Sequence, residues 1–168
     1  MKIATFNINN INKRLPNLLA WLKAAGPDVV ALQELKAADA EFPRSAIEKA
    51  GYGAVWRGQR TWNGVAILAR GAEPVVTRDR LPGDPEDAQA RYLEAAVNGV
   101  LVTSLYAPNG NPIGTEKFAY KLAFMDALRA HASDGLVLSA YGGGTFPGGF
   151  LEAGKRAVQA GIPVVLAT

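Results

Sequence analysis

The chain has 168 residues, 49% hydrophobic and 20% charged, which fits one folded domain with a real core and excludes a disordered chain. Lys and Arg outnumber Asp and Glu by 18 to 15, so a net charge of +3 permits a phosphate-bearing partner without demanding one. The absence of Cys excludes disulfides and thiolate metal ligands and suits a reducing compartment.

No run is long and apolar enough for a membrane span. No signal-peptide order opens the chain, because the first apolar run starts at once and meets Asn7. The expectation is a soluble, cytoplasmic protein without a membrane partner.

Residues 2–9 read as a buried strand ending in polar Asn7 and Asn9. Leu15, Leu18, Leu19 and Leu22 then fall at helical spacing, so a helix is expected from Asn12 to Ala25, with Pro16 in its first turn and Gly26-Pro27 ending it. Asp28 to Glu34 reads as a second apolar strand, parallel and adjacent to the first. A second helix is expected from about Ala37 to Ala50.

Strands follow at 52–56 and 64–69, with Asn63-Gly64 as a turn signal, and a further strand at 75–78. Leu81 to Ala90 reads as a surface loop. Tyr92–Val97 and Val100–Tyr106 read as a hairpin around Asn98-Gly99. Loop 107–114 leads into a helix from Glu116 to about His131, buried along Phe118, Leu122, Met125 and Leu128. Beyond Ser133 the pattern is a short apolar strand at 135–138, a glycine-rich loop at 142–149, a helix at 150–160 and a last strand at 162–167.

Four places carry chemistry. Glu34, an acid ending an apolar strand, reads either as a solvent-facing strand end or, with the Asn7 amide beside it, as an oxygen site for a hard cation such as Mg²⁺. Tyr106, in Ser104-Leu105-Tyr106-Ala107-Pro108-Asn109-Gly110, reads as a half-buried edge aromatic or as a hydroxyl presented to a phosphate oxygen. Asn63 reads as turn chemistry, and Arg91 as a loop arginine. The Gly142-Gly143-Gly144 turn lacks the spaced glycines or the lysine of a nucleotide-binding loop.

Taken together, T-F-N-I-N at 5–9, L-Q-E at 32–34, N-G-V-A-I at 63–67, R-x-L-E-A at 91–95 and Y-x-P-N at 106–109 resemble the exonuclease III branch of the endonuclease/exonuclease/phosphatase family. The resemblance covers about residues 1–132. It implies an α/β fold, a layered β-sheet sandwich with flanking helices. It also implies Mg²⁺- or Mn²⁺-dependent phosphodiester hydrolysis in DNA repair, with the DNA phosphate backbone as partner. On the same resemblance Glu34 is a metal ligand, with Asn7 orienting metal or phosphate. Tyr106 contacts the scissile phosphate with Asn109 in support, and Asn63 and Arg91 belong to the substrate side.

The sequence departs from that family where its G-D-x-N motif and terminal Asp-His pair are expected. Val164–Ala167 resembles the strand before G-D-x-N, and Thr168 follows it. His131, the sole histidine, reads as a surface residue.

Residues 133–168 instead resemble the C-terminal domain of bacterial-type L-asparaginases, which often has Asn where Thr145 stands. The chain therefore reads as an engineered chimera joined near Ala132-Ser133-Asp134. It is expected to fold as a single domain over 1–168, with the tail β-α-β unit completing the nuclease part. Three functions stay open: an impaired nuclease that binds Mg²⁺ and DNA phosphate weakly, a chimera that folds without activity, and an active phosphodiesterase whose missing motifs come from a partner chain.

Overall fold

The computed structural model describes residues 1–83, 85–131, 136–139, 159 and 164–167. The chain divides into two units, Met1–Leu128 and Arg129–Thr168. Among the described residues no helix is long and apolar enough to cross a membrane.

In the first unit, strands β1 (Ile3–Asn7) and β2 (Val29–Gln33) run parallel, in register from Ile3 opposite Val29 to Asn7 opposite Gln33. Helix α1 (Ile11–Ala25) joins them, as the leucine spacing predicts. It begins one residue earlier than expected, because the Asn10 side chain accepts from the Lys13 amide and caps it, so Pro16 falls in the second turn. Gly26, at φ 53°, closes the helix in the left-handed conformation that suits glycine.

The expected helix over 37–50 is broken. A 3₁₀ turn, Asp39–Glu41, precedes a short helix α2, Arg44–Lys49. Phe42 between them is extended, at φ −68° and ψ 130°, because a residue before proline is driven out of the helical region. That bend drops Phe42 into the core, stacked on Trp56 with ring centroids 4.2 Å apart.

Strands β3 (Tyr52–Arg57) and β4 (Val65–Arg70) complete a sheet of order β1-β2-β4-β3, in which β4 is antiparallel to both neighbours. A second, antiparallel sheet has the order β5-β6-β7, from Val75–Arg78, Tyr92–Val97 and Val100–Leu105. The sheets face each other through Val29, Val65, Ile67 and Ala69 on one side and Leu93, Ala95, Val97 and Val102 on the other. The helices α1 and α2 cover the outer face of the first sheet through Leu18, Leu22 and Ile47.

Helix α3 (Glu116–Ala130) packs on Leu81 and Tyr92 of the second sheet's side through Phe124, flanked by Tyr120, Met125 and Leu128. Phe124 is its one buried residue, with Tyr120, Met125, Ala127 and Leu128 partly buried around it; Met125 and Leu128 pack as expected, and Leu122 stands 49% exposed where burial was expected. The layering is helix, sheet, sheet, helix: the expected α/β sandwich.

In the second unit, β8 (Leu136–Ser139) and β9 (Val164–Ala167) pair in parallel, Leu136 opposite Val164. The expected glycine-rich loop and the helix at 150–160 lie outside the described residues, apart from residue 159, which is helical.

Candidate functional site

The parallel register of β1 and β2 sets Asn7 opposite Gln33, so Glu34 lies one step beyond the strand end and beside Asn7. There the backbone turns sharply. Glu34 has φ 56°, Lys36 φ 50°, Asn9 φ 46° and Asn10 φ 83°, all in the left-handed region that non-glycine residues rarely enter. Asparagine tolerates it; for Glu34 and Lys36 it is local strain of the kind that collects at functional sites. The surroundings hold it in place: Asn10 N donates to Glu34 O at 2.9 Å, Leu35 N to Gly64 O at 3.2 Å, and Lys36 N to Asn63 O at 2.9 Å.

The Glu34 carboxylate is the hub. Its Oε1 accepts from Asn7 Nδ2 at 2.7 Å and from the Tyr106 hydroxyl at 2.6 Å. Its Oε2 meets Lys36 Nζ at 2.9 Å, and the same ammonium donates to Asn9 Oδ1 at 2.7 Å. Asn9 N donates to Asn7 Oδ1 at 3.0 Å and orients that amide. Burial pushes the Glu34 carboxyl up, but hydrogen bonds from Tyr106, Asn7 and Lys36, with the Lys36 charge, outweigh it and hold the group below its ordinary value.

Tyr106 follows β7, and the hairpin delivers it to the same end of the sandwich. Its amide donates to Arg91 O at 2.8 Å, and Arg91 Nη1 donates back to Tyr106 O at 3.3 Å. The Arg91 guanidinium lies 5.0 Å from the Tyr106 ring centroid, a cation–π contact. Gln89 steadies it by accepting from Arg91 Nε at 2.8 Å.

The remaining expected residues sit differently. Asn63 is only 3% exposed, and its Nδ2 donates to Gln59 Oε1 at 2.9 Å and Gln89 Oε1 at 3.4 Å. Its side chain thus turns inward and braces the loop that carries Arg91. Asn109 is exposed, and its Oδ1 accepts from Asn111 Nδ2 at 2.9 Å, not from the Glu34 hub. His131 follows α3 and is half-buried, where a surface position was expected.

Lys36, Asn9, Gln59 and Gln89 escape the sequence reading. All four lie in irregular segments between helices and strands, where no periodicity marks them. The one available signal was Lys36, a cation two residues from a strand-end acid.

The oxygens here are of the hard kind that Mg²⁺ or Mn²⁺ prefers. Among the described residues no cluster of three His, Cys, Asp or Glu could hold a metal. One carboxylate still suits Mg²⁺, which commonly takes one or two carboxylates and fills its shell with water and phosphate oxygens. Any such ion has to compete with Lys36 for Oε2.

The site is therefore a carboxylate, two amides and a tyrosine gathered at one end of a layered two-sheet sandwich. A model of the endonuclease/exonuclease/phosphatase family matches residues 4–141, and the chain belongs to that family. It is similar to exodeoxyribonuclease III of Haemophilus influenzae, at 39% identity over 136 residues, covering 78% of this chain and 51% of the relative. Among solved structures it is similar to a 3′ phosphatase from Neisseria bound to a product DNA hairpin (41% identity, TM-score 0.72, covering 77% of this chain and 50% of that one). It is likewise similar to an AP endonuclease from Archaeoglobus fulgidus (37% identity, TM-score 0.72, with the same coverage of 77% and 50%). The chain spans about half the length of the relatives it matches.

Proposed function

We propose that the first unit is the phosphate-handling half of a DNA repair nuclease of the exonuclease III type, and that these residues bind a divalent cation and DNA backbone but turn over poorly. The observation that carries this reading is the Glu34 carboxylate, held by Asn7, Tyr106 and Lys36, with Arg91 stacked on the tyrosine. Likeness to an exodeoxyribonuclease, and to a phosphatase bound to a DNA hairpin, supports DNA as the partner.

Bound Mg²⁺ or Mn²⁺ would supply Lewis-acid polarisation of a phosphoryl oxygen. Glu34 would hold it, and Asn7 fixes the carboxylate's orientation. Tyr106 offers a hydroxyl to a phosphate oxygen. Arg91 adds positive charge over the tyrosine ring, and Asn63 acts on the substrate side by bracing its loop. Asn109, exposed on the loop after Tyr106 and bonded to Asn111, would support the phosphate contact from there. The hub contains a single carboxylate among the described residues, already committed to its neighbours, so no second carboxylate stands there as a base to take a proton from water. A missing general base lowers turnover by roughly a hundred- to ten-thousandfold.

We further infer that residues 133–168 have a separate origin resembling the asparaginase C-terminal domain, that the chain is an engineered chimera folding as one domain, and that it is cytoplasmic. The parallel β8–β9 pair supports a β-α-β unit there.

Two measurements test the function. Calorimetry with Mn²⁺ should show binding to the parent and none to Glu34→Ala; equal binding refutes the cation role. Cleavage of an abasic-site oligonucleotide with Mg²⁺ should be slow beside the H. influenzae enzyme, and equal rates refute the impairment. A chain that binds neither Mn²⁺ nor DNA is the chimera that only folds.

A further inference from the structure

The loop between β3 and β4 does something its packing does not require. Trp62 is 70% exposed, the largest side chain of the chain left so bare, while the other two tryptophans, Trp21 and Trp56, pack against the core. Its presentation is built. Trp62 N donates to Arg60 O at 3.0 Å, and Thr61 between them has φ 75°. This is a γ-turn of the rare, strained hand, at a β-branched residue that seldom enters this region. Strain of this kind persists only where the surroundings enforce it.

They do. On one side Arg60 Nη2 pairs with Glu41 Oε1 at 2.9 Å. On the other, the buried Asn63 is bonded to Gln59 and Gln89, and its carbonyl accepts from Lys36 N at 2.9 Å. Trp62 is therefore one residue from the brace that also tethers Arg91, and that brace is bonded to the turn carrying Glu34 and Lys36. The backbone on either side of Trp62 is thus held, while its indole is exposed, in a loop bonded to the turn that carries Glu34 and Lys36.

We propose that Trp62 is a stacking platform for a nucleobase of the DNA strand whose phosphate lies at Glu34, Tyr106 and Arg91; this rests on the function proposed above. Every base offers a π-face, so such a platform gives affinity and register without reading sequence. The bases open to it are unpaired ones, at a strand end or opposite an abasic site, because a stacked duplex hides its faces.

The test is fluorescence anisotropy with labelled single-stranded DNA and an abasic duplex, on the parent, Trp62→Ala, Trp62→Leu and Trp62→Phe. Being exposed, Trp62 should be replaceable without a change in melting temperature. Loss of the ring should weaken binding roughly five- to a hundredfold, Trp62→Phe should restore most of it, and Trp62→Leu should not. Binding should also quench the parent's tryptophan emission and leave that of Trp62→Phe nearly unchanged. Equal affinity of Trp62→Ala and parent overturns the platform and leaves the nuclease reading standing, as does full rescue by leucine. A parent that binds no DNA overturns both.

Discussion

The Tyr106 hydroxyl donates to Glu34 Oε1 over 2.6 Å and 72 residues of sequence, and in doing so ties the second sheet to the end of the first. The carboxylate is half-buried, at 16% side-chain exposure, and needs donors. The tyrosine is fixed by Arg91 through both backbone and ring.

Removing that hydroxyl should be felt in two ways. Tyr106→Phe deletes a hydrogen bond to a charged acceptor, a loss of about 1.5–3 kcal/mol. Urea titration gives the stability change. Carbon-detected NMR titration should show the Glu34 carboxyl moving up from its depressed value, and an unchanged titration would remove Tyr106 from the network.

The pH dependence follows from the same carboxyl. Because its folded value lies below the unfolded one of about 4.5, Glu34 contributes stability above the unfolded value and loses it as pH falls through the folded one. Glu34→Gln should therefore be less stable than the parent at neutral pH, with the gap closing in acid as pH falls through the depressed folded value. Urea midpoints at the two pH values decide it; a gap that widens in acid contradicts the assignment.

Gly64 has no room for a methyl group. A Cβ there would lie 2.7 Å from Leu35 Cβ, and φ is +101°. Gly64→Ala should cost about 1–3 kcal/mol and lower the melting temperature. It should also weaken Mn²⁺ binding, since Leu35 N bonds to Gly64 O directly after Glu34.

Arg57 holds the long loop from the far side. Its guanidinium donates to Asp79 O at 3.0 Å, Gln89 O at 2.9 Å and Asp87 O at 3.3 Å. Arg57→Ala should speed hydrogen exchange at residues 85–91 while leaving β4 protected, and Arg57→Lys should restore little, lacking the fork that spans three carbonyls. Uniform exchange across both variants would mean the loop is held elsewhere.

Much of this architecture is written in local pattern. The β1-α1-β2 unit follows from leucine spacing and two apolar runs, and its register alone brings Asn7 beside Glu34. Asn98-Gly99, both at positive φ, announces the hairpin that delivers Tyr106. The α2 break was also signalled, by Pro43, but helix-forming neighbours masked it. For α3 two stripes compete, and only the sheet beneath it selects Phe124 over Leu122. The Lys36–Asn9 and Gln59–Asn63–Gln89 contacts arise from turns meeting in space, which no period records.

The distance along the chain between Glu34 and Tyr106 also orders events during synthesis. When Glu34 leaves the ribosome, Asn7 and Asn9 have already emerged and Lys36 follows two residues later, so the acid can pair early with its lysine. The tyrosine arrives 72 residues later, on the order of ten seconds at ordinary elongation rates. Within that interval, from the emergence of β4 to that of β6 and β7, the nascent first sheet carries its inner face, Val65, Ile67 and Ala69, without the covering hairpin. The closing of Tyr106 onto Glu34 is thus a late seal, and it marks the moment that apolar face passes out of a chaperone's reach.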